Sequence, residues 1–425
     1  MSDTIFALSS GTPPAAIAIM RLSGAGAFAA VMALAGTLPE PRVATLRSLR
    51  DPASGALLDR ALVLLFPGPD SATGEDVAEL HLHGGRAVVR AVDAVLAELP
   101  GLRAAEAGEF TRRALVNGRI DLTEAEGLAD LLAAETEAQR RAAIASAEGG
   151  LRRCIDQWSA RTVALAARIE AAIDHEDEED VGAAPIIVEV RAGASALAQD
   201  IAAMLAQPPA ERLHEGIRVV LAGPPNSGKS TLLNALAGRE AAIVSPIAGT
   251  TRDRIEVPVV RRGIAWLLTD TAGLAVETDD PIEAIGIARA REAAALADIV
   301  LWLGDDAPPE PAMLAIHPKA DVRPSRRDRL AVSAAAGEGM EALWDALVER
   351  AQMLLPASGA VALNRRQAEL SGIAAAALDI AAEATDPLLI AEELRHALLQ
   401  FDRLTGQAGV ENVLDDLFGR FCIGK

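Results

Sequence analysis

The sequence predicts a multidomain α+β and α/β protein. An N-terminal α+β domain is followed by a helical domain, into which a unit with a doubly wound, mostly parallel sheet is inserted. Three observations predict this. Residues 1–118 mix short β-like runs with turn signals. From Thr123, and again beyond Leu355, apolar residues recur at helical spacing. Between these stretches, from Ile217, apolar runs alternate with helical patterns.

In the first stretch the strand-like runs are Ala15–Met20, Ala61–Phe66 and Ala78–Leu82, punctuated by Pro13-Pro14, Pro67-Gly68-Pro69 and Gly84-Gly85. Ala87–Leu99 fits a helix. Thr123 with Glu126 reads as a capping box, and Leu128, Leu131, Leu132, Ile144, Leu151, Ile155, Trp158, Leu165, Ile169 and Ile173 follow with helical spacing. Gly149-Gly150 divides this run into two long helices. The acidic run Asp174–Asp180 (DHEDEED) ends the second and reads as a solvated connector in preference to a metal site. Strands are expected at Ile217–Ala222, Ile264–Thr269, Ile299–Leu303, Met313–Ile316 and Leu330–Ser333. Helices are expected at Thr231–Leu236, Glu283–Leu296 and Met340–Leu355. The domain boundaries read as 1–118, 119–213, 214–355 and 356–425, the second and fourth segments being two parts of one helical domain.

Composition narrows the function. The 425 residues are 51% apolar and 3% aromatic, with no tyrosine, which suits a helix-rich protein better than a β-sandwich. The N-terminus lacks a basic region followed by an apolar one, and no stretch approaches the roughly 18 apolar residues of a membrane span. The expected location is cytoplasmic. Cys154 and Cys422 make neither a disulfide framework nor a metal site. A formal charge of −20 argues against coating nucleic acid through a broad basic surface. The arginine pairs at 112–113, 140–141, 152–153, 326–327 and 365–366 read first as solvated helix faces. Only three of the 40 basic residues are lysines: Lys229, Lys319 and Lys425. Lysine offers a compact ammonium that a planar guanidinium does not replace.

Gly223–Ser230 (GPPNSGKS) follows an apolar strand and opens a helix, the context a phosphate-binding loop requires. Its glycines let backbone N–H groups of Asn226, Ser227, Gly228 and Thr231 wrap phosphates, and the helix N-terminus adds its dipole. Lys229 is expected to bridge the β- and γ-phosphates, and the Ser230 hydroxyl to ligate Mg²⁺. Ala248–Asp253 (AGTTRD) supplies switch-loop threonines, with Thr251 the γ-phosphate and Mg²⁺ contact. Asp270-Thr271-Ala272-Gly273 ends an apolar strand; Asp270 holds Mg²⁺ through water and the Gly273 N–H faces the γ-phosphate. Ser333-Ala334 begins a loop able to touch a guanine base. This order is that of a GTPase.

The base-reading segment departs from Asn-Lys-x-Asp: it is Pro318-Lys319-Ala320-Asp321. Asp321 still accepts from guanine N1–H and N2–H₂, and Lys319 packs its stem over the base. Losing the asparagine removes hydrogen bonds of roughly 0.5–1.5 kcal/mol each, so guanine preference is expected to persist with weakened affinity. Leu274 stands where Ras-like GTPases carry glutamine. Asn226 is a candidate for binding a monovalent cation. Glu283 reads either as a water-positioning group or as an ordinary first-turn acid favoured by the helix dipole.

Taken together the chain resembles one family, the tRNA modification GTPases MnmE (TrmE), over essentially its full length. The resemblance rests on Thr12-Pro13-Pro14 with AIAIMRLSG, on Thr73–Glu79 (TGEDVAE), His83-Gly84-Gly85 and Gly108–Glu126 (GEFTRRALVNGRIDLTEAE). It continues through the phosphate loop and AGTTRD, then DTAGL with Ile285-Gly286-Ile287, to the terminal FCIGK. It implies that 1–118 binds tetrahydrofolate and dimerises, that 214–355 is the GTPase domain, and that the protein is a homodimer. It also implies work with the flavoprotein MnmG on C5 of the wobble uridine of tRNA, bound directly or through that partner. The one-carbon unit would come from 5-formyl- or 5,10-methylene-tetrahydrofolate, giving aminomethyl or carboxymethylaminomethyl products, with hydrolysis stimulated by K⁺. Carried over, Asn226, Ser245, Ile247 and Thr250 hold K⁺, Ser230 and Thr251 hold Mg²⁺, and Glu283 positions water. Arg21, Glu79, Arg119 and Lys425 match the folate site. Ala72 stands where an aromatic commonly precedes TGEDV, and Cys422 matches a family cysteine that reads equally as helix-end packing. The rival readings are an Era- or Der-like ribosome-assembly GTPase, which lacks the N-terminal domain and the FCIGK end, and a non-hydrolysing scaffold, suggested by Pro318 alone.

Overall fold

A computed structural model describes residues 3–174, 183–224, 226–238, 256–270, 297–324, 326–357 and 361–408, with 414, 417–419, 421 and 424. The chain divides into two compact units. One comprises Met1–Ala129, Ser146–Gln157 and Phe401–Lys425; the other comprises Asp130–Ala145 and Trp158–Gln400.

The first unit is built on a sheet of β1 (Thr4–Leu8), β2 (Ile17–Ser23), β3 (Thr45–Arg50), β4 (Leu57–Phe66), β5 (Val77–His83) and β6 (Leu102–Ala104). The strands are ordered β3-β4-β5-β2-β1-β6. Neighbours are antiparallel except β1 and β6, which run parallel. Alternation sorts the faces. Ala18, Met20 and Leu22 of β2 are buried with α1 (Ala27–Ala35) and α2 (Arg86–Glu98), which contribute Val31, Leu34, Val92 and Leu96 to one core. Arg21 is thereby left for the opposite face, where the register sets it across from Glu79. The strand expected from Ala15 begins at Ile17 instead. Ala15 still approaches the end of β5, its N donating to Gly84 O at 3.0 Å just beyond the Ile17–His83 pair.

Three helices, not two, follow α3 (Glu109–Val116): α4 (Leu122–Ala133), α5 (Glu137–Ala147) and α6 (Gly150–Asp174). Gly149, at φ 76°, makes the expected break. The additional break is capped by Thr136 and Gln139: Gln139 N donates to Thr136 Oγ1 at 3.2 Å, and Thr136 N to Gln139 Oε1 at 2.7 Å. The capping box of α4 lies two residues before the expected Thr123–Glu126. Glu124 N donates to Asp121 Oδ1 and Asp121 N to Glu124 Oε2, both at 2.8 Å. The Thr123 hydroxyl is itself turned back to Asp121, at 2.8 Å.

The second unit carries β7 (Ile217–Ala222), β8 (Glu256–Arg261), β9 (Ile264–Asp270), β10 (Ile299–Trp302), β11 (Leu314–Pro318) and β12 (Leu330–Val332). Their order is β12-β11-β10-β7-β9-β8, parallel throughout except for β8 against β9. This is the expected doubly wound, mostly parallel sheet. Its core takes Leu232, Leu233 and Leu236 from α9 (Lys229–Ala237) and Leu343, Trp344 and Leu347 from α10 (Met340–Leu354). Trp266 and Trp344 meet edge to face at 5.4 Å. The unit also holds α7 (Ala183–Leu205), the short α8 (Glu211–His214) and α11 (Arg365–Glu383); α12 (Pro387–Thr405) follows. The expected helix Glu283–Leu296, and the acidic run beyond Asp174, lie outside the described residues. Among the described residues no helix is long and apolar enough to cross a membrane.

Candidate functional site

β7 lies between β9 and β10, so the chain leaves its carboxyl end at the point where the sheet's winding reverses. There Gly223, Asn226 and Gly228 take φ of 149°, 59° and 101°. Left-handed backbone at these positions turns successive N–H groups toward a common centre. Lys229 begins α9 and is only 6% exposed. Its Nζ donates to the carbonyl oxygens of Gly223 at 3.1 Å and Pro224 at 3.0 Å. Burial lowers its pKa from 10.5, against the opposing charge of Asp270. Exposed Ser230 donates its hydroxyl to Asp270 Oδ2 at the end of β9. Among the described residues, Asp270 Oδ1 and Ser227 Oγ are buried without a hydrogen-bond partner. A hydroxyl and a carboxylate with an orphaned oxygen are hard donors that suit Mg²⁺. Thr231 is exposed in the same first turn.

A titration follows from the buried lysine. A bound phosphate favours the ammonium, so nucleotide binding raises the pKa that burial has lowered. GDP affinity should hold at neutral pH and fall as pH rises through that lowered value, short of the ordinary 10.5. Calorimetric titration across the alkaline range checks it; a flat affinity there would contradict it.

Pro318 closes β11 on a stretch where β10 no longer pairs, since the β10–β11 register stops at Ala315; its missing N–H is tolerated there. Lys319 takes φ 57° and donates from Nζ to Asn226 O at 2.9 Å. Its carbonyl accepts from Val322 N and Arg323 N, each at 3.1 Å, and this turn leaves Asp321 exposed. Buried Ser333 uses its hydroxyl within the next loop, accepting from Ala336 N at 3.1 Å, and Ala334 beside it is half-buried. The structure thus links Asn226 to Lys319 and Ser230 to Asp270. Ser245, Ile247, Thr250, Thr251, Thr271, Ala272, Gly273 and Glu283 lie outside the described residues, as does Lys425.

In the first unit Arg21 Nη2 and Glu79 Oε1 meet at 2.9 Å, and His81 Nε2 reaches Glu79 Oε2 at 3.1 Å. Burial pushes the Glu79 carboxyl up, but the hydrogen bond to His81 and the Arg21 charge outweigh it and hold the pKa below the usual 4.5. The Arg21 guanidinium also lies 5.9 Å from the Phe110 ring centre. Arg119 pairs instead with Asp70, at 3.7 Å. Sequence reasoning missed His81; its signal was the period of two that sets Glu79, His81 and His83 on one side of β5. Near the C-terminus, Gly424 O accepts from Ser9 Oγ at 2.8 Å. A Cβ on Gly424 would lie 2.3 Å from Leu8 O, at a φ of 98°. Gly424→Ala should therefore displace the tail from β1 and cost on the order of 1–3 kcal/mol. A lowered melting temperature would register it; an unchanged melt would show that the tail is not seated there.

The arginine pairs are largely spent on carboxylates. Arg140 and Arg141 both bind Glu137 at 2.7 Å, and Arg326 binds Asp328 at 3.0 Å. Arg113, read as one of a solvated pair, is 1% exposed and bonded to Asp3, Glu75 and Glu109.

A glycine-rich loop leaving the central strand at the reversal of a parallel sheet, with a buried lysine and a serine–aspartate pair beside it, defines a P-loop nucleotide hydrolase. A sequence profile of the MnmE helical domain matches residues 122–422, and one of the GTP-binding protein TrmE N-terminus matches residues 4–119. The tRNA modification GTPase MnmE of Rhizorhabdus wittichii is 58% identical over 100% of this chain and 97% of its own length. The proteins of that name from Novosphingobium aromaticivorans and Erythrobacter litoralis are each 54% identical, with both chains covered in full. The chain belongs to the MnmE (TrmE) family of tRNA modification GTPases.

Proposed function

We propose that this GTPase couples hydrolysis to modification of the tRNA wobble uridine in the cytoplasm. It works as a K⁺-stimulated homodimer with the flavoprotein MnmG and takes a one-carbon unit from 5-formyl- or 5,10-methylene-tetrahydrofolate. The observation that carries this reading beyond a generic GTPase is the first unit. Its Arg21–Glu79–His81 array is suited to the polar ring and carboxylates of a folate, and the tail leading to Lys425 arrives against β1. Residues 1–118 are the folate-binding and dimerising domain, 214–355 the GTPase domain, and 119–213 with 356–425 the helical domain.

At the nucleotide, the loop N–H groups bind the β-phosphate and Lys229 neutralises charge between the β- and γ-phosphates. Ser230 and Thr251 would hold Mg²⁺, with Asp270 reaching it through water, and the ion would supply charge stabilisation to the phosphates. Asn226, with Ser245, Ile247 and Thr250, would hold K⁺. Glu283 orients the attacking water, taking the place that Leu274 leaves unfilled. Asp321 selects guanine by accepting from its N1–H and N2–H₂.

Mass spectrometry of wobble uridines from cells lacking this protein tests the reading. Loss of the aminomethyl or carboxymethylaminomethyl groups is expected, and an unchanged spectrum would defeat it. Turnover measured in K⁺ against Na⁺ tests the cation: K⁺ should raise the rate, and equal rates would remove it from the scheme.

A further inference from the structure

Residues 303–313 join β10 to β11 without a helix. Three consecutive carbonyls of this connection are gathered by one side chain. Arg329, whose side chain is 4% exposed, donates from Nη1 to Gly304 O. Its Nη2 donates to Asp305 O at 2.8 Å and to Asp306 O at 2.5 Å. Two further groups converge on the same carbonyls: Arg326 Nη1 reaches Asp305 O at 2.9 Å and Trp302 Nε1 reaches Asp306 O at 3.1 Å. Arg323 pairs with the Asp305 carboxylate.

The placement of these arginines gives the cluster its meaning. Arg323 is two residues beyond Asp321, and Arg329 is four before Ser333. The connection they grip abuts the phosphate loop: Leu303 N donates to Ala222 O at 2.8 Å, and a Cβ on Gly223 would lie 3.2 Å from Gly304 N. The base-reading connection from Pro318 to Arg329 is therefore tied through guanidinium groups to the backbone that flanks the phosphate loop, and β12 runs directly from Arg329 to the loop that begins at Ser333. A guanidinium presents several donors in a rigid fork, whereas an ammonium is a point charge on a flexible stem.

We propose that Arg329, assisted by Arg323 and Arg326, is a positioning residue for purine recognition. It fixes the separation between the base-reading loops and the phosphate loop in a chain whose base segment carries Pro318 in place of an asparagine. The proposal rests on the reading of Gly223–Ser230 and Pro318–Asp321 as the GTP site.

The test uses the full-length protein and compares wild type with Arg329→Met, Arg329→Lys and Asp305→Asn. Steady-state GTP hydrolysis, GDP and ADP titrations and thermal melts are recorded. Losing charge-assisted bonds at one residue should raise KM for GTP and Kd for GDP about tenfold, with kcat held within about twofold. Arg329→Lys should weaken affinity nearly as much while melting close to wild type, because one ammonium cannot span three carbonyls. Asp305→Asn should give a smaller change in the same direction, and the preference for GDP over ADP should shrink in each variant. If Arg329→Met does not fold, the other two variants carry the test. Wild-type GDP affinity in Arg329→Lys and Asp305→Asn, or a fall confined to melting temperature, would overturn the proposal. A wild-type protein that bound no GDP would instead refute the site reading, and the proposal with it.

Discussion

Lys229→Ala is expected to abolish measurable GTP hydrolysis while leaving the fold in place. The ammonium is held by two backbone carbonyls, Gly223 O at 3.1 Å and Pro224 O at 3.0 Å, so the loop itself orients it. A preorganised cation costs no reorganisation when charge develops on the transferring phosphoryl group, which is why its loss falls mainly on the transition state. A decrease in kcat/KM of about a thousandfold or more is expected. The side chain is 6% exposed and ends at the helix N-terminus, so the alanine leaves a small polar recess and the core of α9 untouched. Lys229→Arg should not rescue: the fork is larger than the recess and matches neither carbonyl. Phosphate release alongside a thermal melt separates loss of chemistry from loss of fold. Turnover within about tenfold of wild type would remove this lysine from the mechanism.

Arg113→Met is expected to be the most damaging single change to the first unit. The guanidinium is 1% exposed and bonded to Asp3 at 3.2 Å, Glu75 at 3.0 Å and Glu109 at 3.1 Å, with Asp3 O at 3.0 Å as a further acceptor. Removing one partner of a buried ion cluster leaves the others uncompensated and typically costs about 3–5 kcal/mol. Its neighbour Arg112 is exposed, so Arg112→Met should change stability far less. The same cluster predicts acid sensitivity. Burial pushes the Glu109 carboxyl up, but the bonds to Arg103, to Glu106 N and to Arg113 hold it below the ordinary 4.5. A depressed carboxylate pKa contributes stability above the unfolded value, and that stability is lost as pH falls from 4.5 through the lowered one. Denaturant melts at pH 7 and pH 3 check both statements. Equal stability of wild type and Arg113→Met at pH 7 would contradict the first.

The parts of the fold that announced themselves in the sequence are those where one physical signal dominates. Ile217–Ala222 is apolar throughout because both faces of a central parallel strand are covered, and its expected and observed bounds coincide. The elements passed over have weaker signatures. β3, TLRSLR, is an edge strand on which Leu49 alone is fully buried, and its arginines mask the alternation. α1, AFAAVMALA, is apolar all round, so no helical period stands out. Asp121 displaced Thr123 as the cap of α4 because both types cap well and only the local geometry decides between them.

The candidate site divides along the same line. The phosphate loop is local, and eight consecutive residues carry most of it. The Arg21–Glu79–His81 array and the Arg329 clamp depend on cross-strand register and on partners far away in sequence, which a linear reading does not weigh. Arg113 shows the same effect in reverse: adjacency to Arg112 suggested a solvated pair, yet a step of about 100° around α3 takes one arginine from the exposed face to the buried one.

The bond from Ser9 to Gly424 joins residues 415 positions apart. Gly424 is therefore made 415 residues after the serine that holds it. The first unit can thus form most of its sheet early, since its strand pairs are local, but its seat for the tail stays open until Gly424 has been made. Closing so long a loop costs little more entropy than closing one half its length, so the delay is set by translation, not by thermodynamics. A chain that stopped before Gly424 would carry an intact phosphate loop together with an unfinished N-terminal unit. On the proposed function, nucleotide turnover and one-carbon chemistry would then part company in the same molecule, and only a chain that reaches the tail would join them.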